Sequence, residues 1–166
     1  MNRKITLRWK SKCGMYFVSL SDKCLKKMLK LARKHYPNEV GTSLIGSYSD
    51  DGFQAFVLDI VPLSSDSRGT STDFYRGIKG LKKFFLKLQK TAGGNIHYVG
   101  EWHSHPDGFS EPSFIDDNNQ LDITFDDRTN CPENILIILG GDLLKEICLG
   151  TYIYSRKRGK VKLFPE

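Results

Sequence analysis

The run Asn134-Ile135-Leu136-Ile137-Ile138-Leu139 constrains this chain more than any other stretch. Successive residues of a strand face opposite sides, so an unbroken aliphatic run has to be covered on both. It is far short of the ~20 apolar residues that cross a bilayer, and no other apolar run comes near that length. The run is therefore expected as a central strand, with packing elements above and below it.

The flanking sequence supplies those elements. Residues 5–9 (ITLRW) and 14–20 (GMYFVSL) are rich in β-branched and aromatic residues and read as strands. Ser21 or Asp22 can then cap a helix in which Leu25, Met28, Leu29 and Ala32 form one apolar stripe, and Pro37 ends it. Strands are expected at 42–48 and 53–63, joined by the turn Asp50-Asp51-Gly52. Residues 64–76 are small and polar without a period, the longest loop candidate; such loops tend to be functional or mobile. A second helix should carry Ile78, Leu81, Phe84, Phe85 and Leu88 on one face and end at Gly93-Gly94. A strand over 96–105, a helix starting near Ser113, and a hairpin of 146–154 with 160–164 complete the pattern. The fold class is α/β: one domain spanning residues 1–166, a mixed curved β-sheet with helices packed on it.

Composition excludes several classes. A chain of 166 residues with 39% hydrophobic and 27% charged residues fits an ordinary globular protein. The start, MNRKITLRWK, lacks the apolar core of a secretion signal, so the expected location is the cytoplasm. Cys13, Cys24, Cys131 and Cys148 have no metal-finger spacing and read as buried or free thiols. The net charge of +6 is spread over two lysine-bearing helices and Arg156-Lys157-Arg158. Solvated helix faces explain it, and with no nucleic-acid-binding motif in sight neither nucleic acid nor a membrane is an expected partner.

One stretch carries chemistry: Gly100-Glu101-Trp102-His103-Ser104-His105-Pro106, followed by Ser113 and Asp116. The period of a strand puts His103 and His105 on the same face, where both can hold one metal. Asp116 is far enough along the chain to loop back as a third ligand. Two His and one carboxylate leave a position open for water, the pattern of a catalytic rather than a structural zinc site. The same three groups also make the facial triad of non-haem iron enzymes. Ser113-x-x-Asp116 is in addition close to a helix capping box. Glu101 shares the histidine face and, on periodicity alone, is either a base or a fourth ligand; Trp102 points the other way. His35 and His97 lie outside the pattern.

The spacing His103-x-His105, seven residues, Ser113-x-x-Asp116 resembles the JAMM motif of the MPN/JAB-domain zinc isopeptidases. Glu39 to Gly46 (EVGTSLIG) is similar to that family's upstream glutamate run, with Thr42 where a glycine is common. Tyr98 to Pro106 together with Phe74-Tyr75-Arg76-Gly77 looks like the JAB deconjugating peptidases of bacterial CBASS antiphage operons. The resemblance implies one Zn2+ per chain on His103, His105 and Asp116. It implies Glu39 as general base then acid, Ser113 as donor to the oxyanion, and Glu101 as a supporting residue. It further implies hydrolysis after the C-terminal tail of a conjugated protein, a CD-NTase or a ubiquitin-like protein, beside a ubiquitin-transfer-like enzyme of the same operon. The tail would add as a strand to a sheet edge, with residues 64–76, including Phe74, Tyr75 and Arg76, as one groove wall. An inactive MPN scaffold is the remaining alternative, against which all five motif residues are present.

Overall fold

The computed structural model describes residues 5–166. Strands β1 (Ile5–Ser11) and β2 (Phe17–Ser21) form an antiparallel hairpin. Ser21 then caps α1 (Asp22–His35) by accepting the Cys24 N–H at 3.1 Å. Cys24, Met28 and Ala32, four residues apart, are the buried stripe of α1, which packs on β4, β2 and β1. β3 (Gly41–Tyr48) and β4 (Gln54–Ile60) form the next hairpin. A two-stranded ribbon, β5 (Arg68–Gly69) with β6 (Phe74–Tyr75), leads to α2 (Leu81–Ala92). Then come β7 (His97–Ser104), α3 (Phe114–Phe125), β8 (Glu133–Asp142), β9 (Glu146–Ser155) and β10 (Gly159–Pro165).

The sheet runs β1-β10-β9-β8-β7-β3-β4-β2 and closes where β2 meets β1. The pairs β2–β4 and β7–β8 are parallel; all others are antiparallel. The mixed curved sheet expected from the sequence is present, and its closure into a barrel is the added finding. Closure comes from β1 pairing with β10, Trp9 opposite Pro165 and Ser11 opposite Leu163. A pairing between the two ends of the chain leaves no local pattern to read.

The apolar run lies in β8, between β7 and β9, and is buried on both faces as expected. Ile135, Ile137 and Leu139 enter the main core with Trp9, Met28, Val57 and Trp102. Leu136 and Ile138 enter a smaller core with Tyr152, Tyr154 and Leu121 of α3. Burying a Leu or Ile side chain is worth about 1.5–3 kcal/mol, so this strand is a principal anchor of the fold.

One local expectation is corrected and another refined. Ile78 precedes α2 and is 66% exposed, because Gly80 at φ +86° starts the helix after it. Segment 64–76 is the expected loop, but it carries the short β5–β6 ribbon and is tied down as a strap. The Asp66 carboxylate accepts the N–H groups of Ile78 and Lys79, and Ser67 Oγ accepts that of Gly77. These side-chain bonds replace a hydrophobic period as the ordering force. All four cysteines are free, and among the described residues no helix is long and apolar enough to cross a membrane.

Candidate metal centre

β3 and β7 lie antiparallel with Gly41 opposite His103. A Cβ on Gly41 would sit 2.2 Å from the Trp102 carbonyl oxygen and 2.7 Å from His103 Cβ. The absent side chain lets β3 press against the histidine strand and carries Glu39, two residues earlier, to its end. The Glu39 amide donates to the Thr70 carbonyl at 2.7 Å, fastening it to the β5–β6 ribbon. Gly69 makes that contact possible, since a Cβ there would meet the Glu39 carbonyl oxygen.

His103 is the last but one residue of β7, and His105 lies just past the strand end, its amide donating to the Leu139 carbonyl at 2.9 Å. The parallel neighbour β8 thus carries the histidine line past the formal strand end. His105 Nδ1 lies 3.1 Å from the Phe109 carbonyl. A carbonyl only accepts, so Nδ1 carries the proton and Nε2 presents its lone pair.

Asp116 arrives from the first turn of α3. Ser113 is the N-cap; its Oγ accepts the Asp116 N–H at 3.1 Å, and the Asp116 carboxylate accepts the Ser113 N–H at 2.7 Å. This reciprocal capping box aims the carboxylate back at β7. Its oxygens stand 3.2 Å from His103 Nε2 and 3.4 Å from His105 Nε2, and the two Nε2 atoms are 2.9 Å apart.

These three separations test the fit of a metal. Tetrahedral zinc with ligand bonds of about 2.0–2.1 Å has donor–donor edges of roughly 3.3–3.4 Å. The two Nε2 atoms, 2.9 Å apart, and the Asp116 oxygen nearest to each, at 3.2 and 3.4 Å, have separations of that size. With Nδ1 of His105 protonated, two ring nitrogens and a carboxylate converge on a point that a cation satisfies. His103, His105 and Asp116 are the group of potential ligands found together among the described residues.

The charges agree. Burial alone would raise the Asp116 carboxyl, but the neighbouring His103 and His105 and the bond from Ser113 hold it well below the ordinary carboxylate range. Burial disfavours the His105 imidazolium, but Asp116 and Glu39 outweigh that and raise its pKa. Glu39 is 8% exposed, and burial raises its carboxyl against the pull of His105 and His103. Its Oε1 lies 4.0 Å from His105 Nε2, beside the ligand triangle rather than in it. Ser113 is exposed, and because its oxygen already accepts the Asp116 amide, its O–H is free to donate outward. Glu39, Asp73, His105, Ser113 and Asp116 all line one open cavity of about 290 Å³.

Glu101 shares the histidine face but takes another partner. Its Oε1 accepts Arg76 Nη1 at 2.5 Å and the Ser43 hydroxyl at 3.2 Å, and Arg76 Nη1 also reaches Ser43 Oγ at 2.8 Å. Burial raises the Glu101 carboxyl even with Arg76 beside it. Arg76 therefore ties the strap to β7 and β3. Phe74 is half-buried against the main core, Tyr75 is 58% exposed, and Trp102 is buried with its Nε1 donating to Thr42 Oγ1. His97 stacks on Tyr48, away from the site. Sequence reasoning missed the Phe109 and Thr70 carbonyls, which no residue type announces, and Asn119. Asn119 sits three residues after Asp116 on α3 and lines a small cavity with Arg76, Glu101 and His103. Helical spacing was the available signal.

Residues 21–149 match the family described as prokaryotic homologues of the JAB domain. The chain is 33% identical over 153 residues to the CD-NTase/cGAS isopeptidase of Enterobacter hormaechei, covering 92% of this chain and 83% of that one. It is 24% identical over 123 residues to a Sinorhizobium fredii protein named "Probable metalloprotease", covering 74% of each. The solution structure of a Desulfitobacterium hafniense protein, 20% identical, is similar in fold, with a TM-score of 0.59 over 90% of this chain and 89% of that one.

Proposed function

The chain belongs to the family of prokaryotic JAB-domain homologues, and from that premise we propose that it is a JAMM-type zinc isopeptidase that removes conjugates from the C-terminal tail of a cGAS-like nucleotidyltransferase in a CBASS operon. The observation that carries the reading is the ligand triangle with the buried carboxylate of Glu39 at its edge and the free hydroxyl of Ser113 in the same cavity.

His103, His105 and Asp116 would hold one Zn2+, and the spacing of their donor atoms suits it. When bound, zinc lowers the pKa of a coordinated water and polarises a carbonyl. Glu39 takes the proton of the attacking water and gives it to the departing amine. A carboxyl raised by burial suits both halves of that shuttle. Ser113 donates its hydroxyl proton to the oxygen that gains charge as the carbonyl is attacked. The Phe109 carbonyl holds the His105 tautomer. Glu101 is held by Arg76 and Ser43 and acts on the scaffold rather than on the substrate.

The closed barrel changes the expected route of the tail. Among the described residues every strand of the main sheet has a neighbour on both sides, so none offers a free edge to an added strand. The β5–β6 ribbon, hydrogen-bonded to the Glu39 backbone at Thr70, is the exposed strand edge beside the site, and an extended tail pairs there in this reading. The enzyme works in the cytoplasm as one domain over residues 1–166, beside the ubiquitin-transfer-like enzyme that forms the conjugate. A fusion of the nucleotidyltransferase tail to a reporter tests this. Cleavage at the tail junction, lost with a chelator and restored by zinc, is expected. Cleavage that survives the chelator, or that survives scrambling of the tail, overturns the reading. Cleavage of a ubiquitin-like protein alone moves the substrate to another bacterial conjugation operon.

A further inference from the structure

The two lysine-rich helices treat their charge differently. On α1, Lys23 and Lys27 both meet Asp59 at 2.8 Å, and Lys26 meets Asp22 at 2.6 Å. On and just before α2, Lys79, Lys82, Lys83, Lys87 and Lys90 are all exposed, and among the described residues none has an ion-pair partner. No Asp or Glu occurs anywhere from Phe74 to Gly100. Lys83 and Lys87 are four residues apart on the helix, a spacing at which like charges repel.

The geometry of α2 separates two faces. Leu81, Phe84, Phe85 and Leu88 are half-buried, with Phe85 edge-on to Tyr98 of β7 at 6.3 Å between centroids. At about 100° per residue, Lys82, Leu86, Lys90, Lys83 and Lys87 fall within an arc of roughly 140° on the other side. Leu86 is 51% exposed inside that arc, and Ile78 is 66% exposed at its N-terminal end. A depression of about 650 Å³ lies over this same face, lined by Ile78, Leu86 and the helix lysines. No residue of α2 is buried, so little of its surface is engaged by its own chain.

We propose that this face docks an acidic patch with an apolar centre on the folded body of the protein whose tail enters the metal site. The inference rests on the function proposed above. Five uncompensated cations call for carboxylates, and Leu86 and Ile78 call for an apolar contact among them. Phosphate backbones supply charge but nothing for two aliphatic side chains, and the face offers neither arginine nor an aromatic ring for a base. Position agrees: Gly77 joins this surface to Arg76, which lines the small cavity shared with His103 and Asp116. A tail reaching those ligands brings its folded body within range of α2.

The test is titration calorimetry of the Glu39→Ala chain, which cannot turn over, against the folded nucleotidyltransferase of the same operon. Lys83→Glu with Lys87→Glu is expected to weaken binding about tenfold, and added salt to weaken the unsubstituted face but not the reversed one. Leu86→Ala is expected to weaken binding about threefold, less than the loss of a full apolar contact. On the chain with Glu39 intact, charge reversal should leave cleavage of a short tail peptide unchanged. Absent binding, or an affinity insensitive to charge reversal, overturns the proposal. So does binding of duplex DNA or RNA that charge reversal abolishes while nucleotidyltransferase affinity stays the same. If the tail reporter is never cleaved but the charge-dependent binding holds, the hydrolytic reading fails and the docking surface stands.

Discussion

Two clusters of buried polar groups sit side by side at the end of β7, and they resolve their charge in opposite ways. Around Glu101, the carboxylate is answered from within the chain by the Arg76 guanidinium and the Ser43 hydroxyl. Around His103, two imidazoles and the Asp116 carboxylate converge with no side-chain cation among them. The same strand, the same face and a separation of two residues produce one self-satisfied cluster and one whose donors converge on a common point. A buried polar group that finds its partner in the fold acts as structure; convergent groups left facing one another mark the place where chemistry enters.

Removing a ligand strikes that contrast hardest. His103→Ala or Asp116→Ala should abolish bound zinc, read by metal analysis, and lower turnover by more than about 10³-fold. Asp116→Ala should also cost about 0.5–1.5 kcal/mol of stability, because it removes half of the exposed capping box. Zinc content unchanged in both variants would erase the distinction between the clusters.

Exchanging the carboxylates between roles comes next. Glu39→Gln is expected to lower kcat by about 10²–10⁴-fold with zinc retained, because it removes a proton shuttle and not a ligand. Glu101→Gln should lower kcat by less than about tenfold, since it leaves the ligand triangle intact. The reverse ranking would move the base from Glu39 to Glu101.

Ser113→Ala is expected to reduce kcat by about 10²-fold through the lost oxyanion donor. It should also reduce stability by about 1 kcal/mol through the lost cap. Ser113→Thr, which keeps both the hydroxyl and the cap, should recover most of each, measured by steady-state kinetics and denaturant unfolding.

The smallest effect on chemistry belongs to Arg76. Arg76→Ala leaves Glu101 buried without its guanidinium and should destabilise the fold by about 1–3 kcal/mol. The Arg76→Met, Glu101→Leu double variant should regain much of that loss, since a buried ion pair replaced by apolar groups is often near neutral. A double variant no more stable than Arg76→Ala would show that the pair contributes beyond mutual satisfaction.

The amino-acid sequence by itself determined the parts that depend on short spacings. The two-residue period of a strand put His103 and His105 on one face. The three-residue spacing of a capping box brought Ser113 and Asp116 together at a helix start. The unbroken run of β8 announced a strand covered on both sides. Tertiary structure alone decided what long separations bring together. The barrel closes because β1 meets β10 at the far end of the chain. Glu101 finds its partners because Ser43, 58 residues away, and Arg76, 25 residues away, converge on it. The strap over 64–76 is ordered by Asp66, Ser67 and the Glu39 amide, single polar contacts that carry no period. Local periodicity is written in neighbouring residue types because backbone geometry repeats every few residues; the partner of a buried charge is written only in the path the chain takes to reach it.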